Sequence, residues 1–265
     1  MLRVKNLAGY LGRAFITFLQ DLSSLYFLFR ETVLQSFVVL TDRKKLSQAR
    51  LLAQVDEIGA QSLPLVLAVS ALLGVAMTVL ISFQLKEVGG YNYIPGLVAV
   101  AIFREMGPLI TALIVAGRVG AAFTARIGTM KVSEEILALE TMAISPVRFL
   151  VVQRFIALLL SLPALTMLAG FTAVFGGFLF GSTRLGIRPD TYVRETLDVL
   201  ASTDVYSGII KAVVFAVIIV MVGCYRGLVV EGGAEEVGRA TMVSVVTSTL
   251  AIIVFDTVMT GAFYG

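Results

Sequence analysis

Residues 104–146 read REMGPLITALIVAGRVGAAFTARIGTMKVSEEILALETMAISP, and this stretch contains three kinds of sequence in succession. It begins with the charged pair Arg104-Glu105, at the head of a segment that is otherwise apolar enough to lie in a lipid bilayer. It continues with many small residues and ends as a short charged segment. One continuous piece of chain therefore joins a charge site inside a membrane to an element on its surface, which predicts that the two are coupled.

The composition of the whole chain predicts a membrane protein. Of the 265 residues, 58% are hydrophobic and 15% are charged, which leaves too few polar residues to cover a water-soluble globule of this size. The chain has no histidine and one cysteine, Cys224, so it lacks the commonest metal ligand and cannot form an internal disulfide. We therefore expect no metal site and no cofactor on this chain.

Five apolar segments are long enough to cross the hydrocarbon layer of a membrane, which takes about 20 residues. The predicted fold class is all-α, a polytopic integral membrane protein with an N-terminal region at residues 1–60 and a membrane domain at residues 61–265. The predicted transmembrane helices cover residues 62–83, 94–119, 155–180, 208–230 and 242–264.

The N-terminal region predicts an amphipathic helix rather than a further span. Apolar residues such as Leu11, Phe15 and Leu22 recur at three- and four-residue spacing, which is typical of a helix that lies in the membrane interface. Packing of this helix on the protein's own spans is the alternative that the pattern leaves open. The basic run at residues 43–45 would hold the region to an anionic cytoplasmic surface.

Lysine and arginine residues are distributed unequally between the two sides of the predicted spans. The segments 1–61, 118–154 and 226–239 hold 15 of them, whereas the segments that would face the other side hold four. The positive-inside rule therefore places the N-terminus in the cytoplasm and the C-terminus outside. An odd number of spans excludes two equal inverted halves, so any symmetry would come from a second subunit.

Four charged residues lie inside the predicted spans: Arg104, Glu105, Lys211 and Asp256. At a rise of 1.5 Å per residue, Lys211, Asp256 and Glu105 lie about 5, 12 and 16 Å from the outer ends of their spans, so they can approach one another. A charge in the middle of a membrane costs about 3 kcal/mol or more, so such residues are normally paired or line a wet cavity. Two readings stay open: buried ion pairs that fix helix register, and a role in a transport pathway or its gate.

Small residues recur every four positions at the end of the second predicted span. This spacing lets helix backbones approach closely in lipid, and it predicts helix packing rather than a chemical role. The residues concerned are Gly117, Ala121 and Ala125, with Gly120, Thr124 and Gly128 beside them.

The next segment, residues 126–146, predicts a short helix outside the membrane. Ser133 can cap this helix, and acidic residues in its first turn suit the positive end of the helix dipole. Exposed apolar side chains among acidic ones suit docking to a partner protein, although packing against the chain's own membrane ends would give the same pattern. The residues of this candidate coupling helix are Ser133, Glu134, Glu135, Ile136, Leu139, Glu140 and Met142.

The chain contains no Gly-x-x-x-x-Gly-Lys-[Ser/Thr] phosphate loop, so any dependence on ATP must come from another subunit. Its motifs nevertheless resemble those of one family of ATP-driven systems, the MlaE-type permeases. These are the membrane subunits of ABC systems that move phospholipids between inner and outer membranes with an Mce-domain partner. The resemblance is carried by FREMGPLITALIVAGRVGAAFTARIGTMKVSEEILALETMAISPVRFLV from residue 103, KAVVF at 211–215, GGAEEVGRAT at 232–241 and VFDTVMTG at 254–261.

The resemblance implies an inner-membrane homodimer of five-span subunits around a lipid-accommodating cavity, with a role in lipid asymmetry. It implies a cytoplasmic ABC ATPase that binds ATP and Mg, an Mce-domain protein on the periplasmic side and a small STAS-type accessory subunit, and no nucleic acid. The family's coupling helix falls on residues 133–143. Its pathway charges fall on Arg104, Glu105, Lys211 and Asp256.

The predicted function is therefore that of a permease subunit, not an enzyme, in an ABC-type phospholipid transporter. The leading alternative is an ion-coupled secondary transporter in which Glu105 or Asp256 carries protons. The lack of an internal duplication and the presence of a docking helix argue against that alternative. A third reading, a membrane scaffold that transports nothing, is disfavoured by the four intramembrane charges.

Overall fold

The computed structural model describes residues 2–41, 48–85 and 90–265, and the described residues form helices and no strand. Short π-helical turns at Asp56–Ala60, Ile102–Met106, Ala116–Gly120 and Val147–Val151 join several of these helices into longer ones. The helices are α1 (Leu2–Thr41), α2 (Gln48–Val55), α3 (Leu63–Leu85), α4 (Ile94–Ala101), α5 (Gly107–Val115), α6 (Ala121–Val132), α7 (Glu135–Thr141), α8 (Val152–Arg184), α9 (Pro189–Val199), α10 (Ser202–Leu228) and α11 (Ala234–Tyr264).

Five helical stretches within the described ranges are long and apolar enough to cross a membrane. They confirm the predicted fold class of an all-α, polytopic membrane protein. We number them as spans 1 to 5: Leu51–Leu85, Tyr91–Val132, Val147–Arg184, Ser202–Leu228 and Ala234–Tyr264.

Span 2 changes its helical pitch where its charges lie. The π-helical turn Ile102–Met106 contains Arg104 and Glu105 and is followed directly by Gly107 and Pro108. Proline has no backbone N–H, so it cannot donate the hydrogen bond that a regular α-helix requires of it. A wider turn accommodates this loss, and such turns are frequent at functional sites.

The spans pack through small residues, as is usual where lipid rather than water surrounds the helices. A Cβ atom on Gly74 of α3 would lie 1.7 Å from the carbonyl oxygen of Ala173 on α8, and one on Gly176 would lie 2.3 Å from that of Ala71. Any side chain at either glycine would therefore separate the two helices. This close approach fixes spans 1 and 3 against each other.

The predicted packing residues of span 2 differ in the contacts that they make with other helices. Thr124 is buried, with its hydroxyl 2.9 Å from the Gly223 carbonyl oxygen and 2.9 Å from the Ser244 hydroxyl, so it joins spans 2, 4 and 5. A Cβ atom on Gly120 would lie 3.2 Å from Ile219, which confirms close packing there. Ala121 is half-buried. Gly117 is exposed with nothing within 4 Å of its Cβ position, so it has no neighbour in the described part of this chain, and its role in helix packing stays a prediction.

Helix α1 packs on the protein's own bundle along one face, and its position in a membrane interface stays a prediction. A stripe of Leu28, Thr32, Ser36 and Val39 is buried against the bundle, while apolar side chains on other faces remain exposed. Asp21 fastens the helix to the end of α10, because it accepts a hydrogen bond from the Tyr225 hydroxyl at 2.8 Å and pairs with Arg226 at 3.1 Å. The basic run at residues 43–45 lies outside the described residues. The outward-facing residues include Ile16, Leu19, Leu22, Tyr26, Phe27, Leu34 and Phe37.

Candidate functional site

Lys211 lies at the centre of a buried polar site between spans 2, 4 and 5. Its side chain has no exposed surface, and its ammonium group forms ion pairs with Glu105 of span 2 and Asp256 of span 5. The Lys211 Nζ atom lies 2.9 Å from Asp256 Oδ1. A buried cation in lipid requires such partners, and these two carboxylates supply them.

Thr260, one helical turn after Asp256, completes the coordination of this lysine. Lys211 Nζ donates to the Thr260 hydroxyl oxygen at 2.7 Å. That hydroxyl lies 3.0 and 3.1 Å from the two carboxylate oxygens of Glu105 and 2.9 Å from the Asp256 carbonyl oxygen. Its single proton can go to only one of these acceptors at a time. Thr260 can therefore bond either across to span 2 or within its own helix.

A second ion pair joins the neighbouring residue of span 2 to the start of span 4. The Nε and Nη2 atoms of Arg104 lie 3.0 and 2.7 Å from Oδ1 of Asp204, whose side chain is 3% exposed. The other Asp204 oxygen accepts a bond from the Ala201 N–H at 3.3 Å and so holds the first turn of α10. Asp204 was absent from the sequence prediction because that segment was assigned to a loop.

The end of span 5 covers Arg104. The guanidinium carbon of Arg104 lies 3.7 Å from the centre of the Tyr264 ring, and the Tyr264 hydroxyl lies 2.6 Å from that of Ser207. A cation over an aromatic face is stabilised by the negative charge density of the ring. The last turn of α11 is therefore fixed to both Arg104 and the first turns of α10.

The residues Arg104, Glu105, Asp204, Lys211 and Asp256 form what we call the charge cluster. The structure brings three of the four predicted residues into mutual contact, whereas Arg104 pairs with Asp204 instead. The cluster is open on one side, because Glu105 keeps 26% and Arg104 37% of its side-chain surface exposed while Lys211 is enclosed. It can therefore present an anion and a cation to a polar group that enters the membrane interior.

An apolar groove of about 360 Å³ lies between α8 and α9, close to the charge cluster. Phe103, which precedes Arg104, lines the groove and meets the Phe171 ring edge to face at 5.5 Å. Burial raises the pKa of Tyr192 to about 12, so its phenol stays neutral, and its hydroxyl donates to the Val174 carbonyl oxygen at 3.3 Å. The groove has the size and polarity of an acyl-chain site.

The candidate coupling helix forms between spans 2 and 3, but it begins differently from the prediction. Helix α7 spans Glu135–Thr141 and is preceded by Glu134 in the left-handed conformation, with φ of 61°. The Ser133 hydroxyl lies 2.9 Å from the Thr129 carbonyl oxygen of α6 and 3.1 Å from the Glu135 carboxylate, so it does not cap α7. The cap prediction was wrong because a tight left-handed turn, rather than an extended cap residue, separates the two helices.

The apolar residues of this segment divide into a buried and an exposed set. Ile136 is 3% exposed and belongs to the main hydrophobic core, and Leu139 is half-buried against the same core. Leu137 and Met142 are 55% and 69% exposed. One face of α7 therefore packs on the chain's own membrane ends, and another exposes apolar surface among Glu134, Glu135 and Glu140, where docking of a partner stays a prediction.

Comparison with known proteins identifies the family of this chain. The family described as Permease MlaE matches residues 51–262. A probable ABC transporter permease protein of Rickettsia typhi is 34% identical, over 96% of each chain. One from Synechocystis sp. is 36% identical over 79% of this chain and 80% of the relative. The intermembrane phospholipid transport system permease protein MlaE of Haemophilus influenzae is 33% identical over 81% and 83%. The match over residues 51–262 and the similarity to these relatives show that this chain, with its five apolar spans, belongs to the MlaE permease family.

Proposed function

We propose that this chain is the membrane subunit of an ABC transporter that moves phospholipid between two membranes. The observation that carries the proposal is the Glu105–Lys211–Asp256 contact at the interior of a permease-family bundle. A charge cluster that is open on one side offers a place for a zwitterionic or anionic headgroup. The apolar groove beside Phe103 offers a place for an acyl chain. The similarity to a phospholipid transport permease supports the same substrate class.

Energy would enter through α7. In this proposal a partner ATPase binds ATP and Mg, and docks on the exposed residues Leu137 and Met142. Movement of α7 is transmitted to span 2, because only the short turn at Ser133 and Glu134 separates α7 from α6. Span 2 carries Glu105 in a π-helical turn, so a shift of that span would alter the Glu105–Lys211 contact.

The further partners belong to the same proposal. The permease would act as a homodimer in an inner membrane, with its N-terminus in the cytoplasm and its C-terminus in the periplasm. An Mce-domain protein would receive or deliver lipid on the periplasmic side, and a small STAS-type subunit would accompany the ATPase. The exposed Gly117 on span 2 supports an additional packing partner, because small residues without a neighbour in one chain suit close approach of another helix.

The test is reconstitution of the purified complex in liposomes that contain a fluorescent phospholipid. We expect transfer of that lipid to an acceptor to require hydrolysable ATP. Glu105→Gln should reduce the transfer strongly, whereas Asp198→Asn, at an exposed ion pair on α9, should not. Transfer that follows an imposed proton gradient without ATP would instead favour the secondary-transporter reading. Equal lipid transfer by Glu105→Gln and by the unaltered protein would show that the charge cluster is not part of the transport pathway.

A further inference from the structure

A second group of charges lies further along span 2, where Arg118 follows Arg104 by 14 residues, or about 21 Å of helix. Arg118 is exposed, and its only hydrogen-bond partner among the described residues is neutral: its Nη1 atom lies 2.5 Å from the Ser62 hydroxyl oxygen. That hydroxyl lies 2.5 Å from the carbonyl oxygen of Ile58 and donates to it, so Ser62 acts as an acceptor toward the arginine. The guanidinium keeps most of its donors available for an anion.

The position of Arg118 along the helix indicates what kind of anion it meets. It lies 24 residues after Ile94, or about 36 Å along a helix, whereas the hydrocarbon layer is about 30 Å thick. Tyr91 and Tyr93 at the start of the span suit the opposite membrane boundary, where aromatic residues are enriched. Arg118 therefore lies at the depth of the headgroups of the leaflet that is remote from the charge cluster.

A cavity of about 80 Å³ opens beside Arg118. One water needs about 10–15 Å³, so the cavity has room for a small polar group. Arg126 also lines it and is paired with Glu57, with Nη1 2.8 Å from Oε2. The full lining is Glu57, Ile58, Arg118, Val119, Ala122, Phe123 and Arg126.

A third arginine adds positive charge behind the cavity wall. Arg154 is 8% exposed, and its guanidinium carbon lies 5.5 Å from the ring centre of Phe123. Its Nη1 atom donates to the Leu150 carbonyl oxygen at 2.6 Å, while its Nε atom has no hydrogen-bond partner in the described part of the chain. Of these three arginines, only Arg126 has an ion-pair partner among the described residues, Glu57, so a surplus of positive charge faces a headgroup layer.

We propose that this cavity is a binding site for the phosphate group of an anionic membrane phospholipid, with Arg118 as its principal donor. A guanidinium matches a phosphate through two parallel hydrogen bonds, and such bonds are stronger than neutral ones. Glu57 holds Arg126 away from the lipid and limits the affinity. The site binds a lipid from the leaflet opposite the charge cluster and does not depend on transport through that cluster.

The experiment measures lipid retained by the purified permease. Protein in detergent is mixed with dioleoylphosphatidylglycerol or dioleoylphosphatidylcholine, and bound lipid is counted by native mass spectrometry. We expect preferential retention of phosphatidylglycerol, and a loss of about tenfold in its affinity in Arg118→Gln. Arg239→Gln removes an equal charge from an exposed position at the start of α11 and should have no such effect.

A variant that is expected to increase lipid retention separates an effect on binding from an effect on folding. Glu57→Gln frees Arg126 from its ion pair and should raise the retention of phosphatidylglycerol, which a merely damaged protein would not do. Thermal unfolding in detergent checks that Arg118→Gln is folded. Equal retention by Arg118→Gln and the unaltered protein would overturn the proposal, as would an equal loss in Arg239→Gln. Binding of inorganic phosphate without retention of the lipid would overturn the assignment to phospholipid.

Discussion

The ammonium of Lys211 lies 2.9 Å from a carboxylate oxygen of Asp256 and also pairs with Glu105, so one buried cation holds two acids from two different spans. This arrangement is asymmetric: removal of Lys211 strands two carboxylates, whereas removal of Asp256 leaves the lysine with Glu105. The order of the effects of substitution follows from this asymmetry.

Lys211→Met should destabilise the protein more than Asp256→Asn. Breaking a buried ion pair by removing one partner costs about 3–5 kcal/mol, whereas Asp256→Asn should cost about 1–3 kcal/mol because Glu105 still pairs with Lys211. Both variants should transport lipid poorly if the cluster contacts the headgroup. Thermal unfolding in detergent and ATP-driven transfer measure the two effects. The double variant should cost less stability than the sum, and full transport in both single variants would refute a pathway role.

Thr260→Val should impair function while its neighbour Thr257→Val should not. Valine matches threonine in shape but cannot accept from Lys211 Nζ or bond to Glu105, and loss of a hydrogen bond to a charged group costs about 1.5–3 kcal/mol. Thr257 is exposed on the same helix, and among the described residues its hydroxyl bonds only to the Ile253 carbonyl oxygen. Stability and lipid transfer of the two variants provide the comparison. Identical behaviour of both would show that the Thr260 hydroxyl contributes nothing beyond its shape.

Asp204→Asn should loosen the junction of spans 2, 4 and 5. The side chain of Asp204 is buried and accepts both Arg104 bonds, so its neutralisation leaves that arginine without a counter-charge and should cost about 3 kcal/mol. Asp190→Asn removes the carboxylate of an exposed pair with Arg188 and should cost less than about 1 kcal/mol. Denaturation curves of the two variants should therefore separate clearly. A similar midpoint for both would mean that the Arg104–Asp204 pair is dispensable.

The fold and the approach of Glu105 and Asp256 to Lys211 could be predicted from the sequence because helical rise and hydropathy are regular. Depth in the membrane, at a fixed rise per residue, already placed Glu105, Lys211 and Asp256 within reach of one another. Asp204 was missed because span 4 begins at Ser202, six residues before its predicted start. Helix ends depend on tertiary partners such as Arg104, which a local pattern does not contain.

At Gly117 and Ser133 the local sequence pattern lacks information that only tertiary contacts supply. Small-residue spacing shows that a helix can approach another, but not which of its faces has a neighbour within the chain. Ser133 followed by two glutamates matches a helix cap, yet the chain reverses there through Glu134 in the left-handed conformation. The direction in which α7 leaves α6 is set by packing of Ile136 in the core, a contact between segments distant in sequence.

The orientation of the spans remains a prediction that labelling can check. The predicted topology places Lys131 and Asp190 at opposite ends of the bundle. Lys131 lies near the end of α6 and Asp190 at the start of α9, and each is replaced in turn by a single cysteine. The natural Cys224 is buried and should not react. A membrane-impermeant thiol reagent added to intact cells should label Asp190→Cys, and Lys131→Cys only after the membrane is opened. The reverse pattern would show that the protein has the opposite orientation in the membrane. Labelling of both cysteines from outside would exclude the five-span topology.

Leu137→Asp should weaken association with the ATPase while the permease stays folded. Leu137 is exposed on α7, so a carboxylate there meets water in the free permease but would be buried in a docked complex, at a cost of several kcal/mol. Ile136→Asp should instead reduce the amount of folded permease, since that side chain is 3% exposed in the core. Leu197→Asp, at another exposed leucine, on α9 at the other end, serves as the control for ATPase association alone, because Leu197 lines the apolar groove. Co-purification of the ATPase and ATP-driven lipid transfer are the measurements. Normal association of Leu137→Asp, or an equal loss in Leu197→Asp, would count against α7 as the docking element.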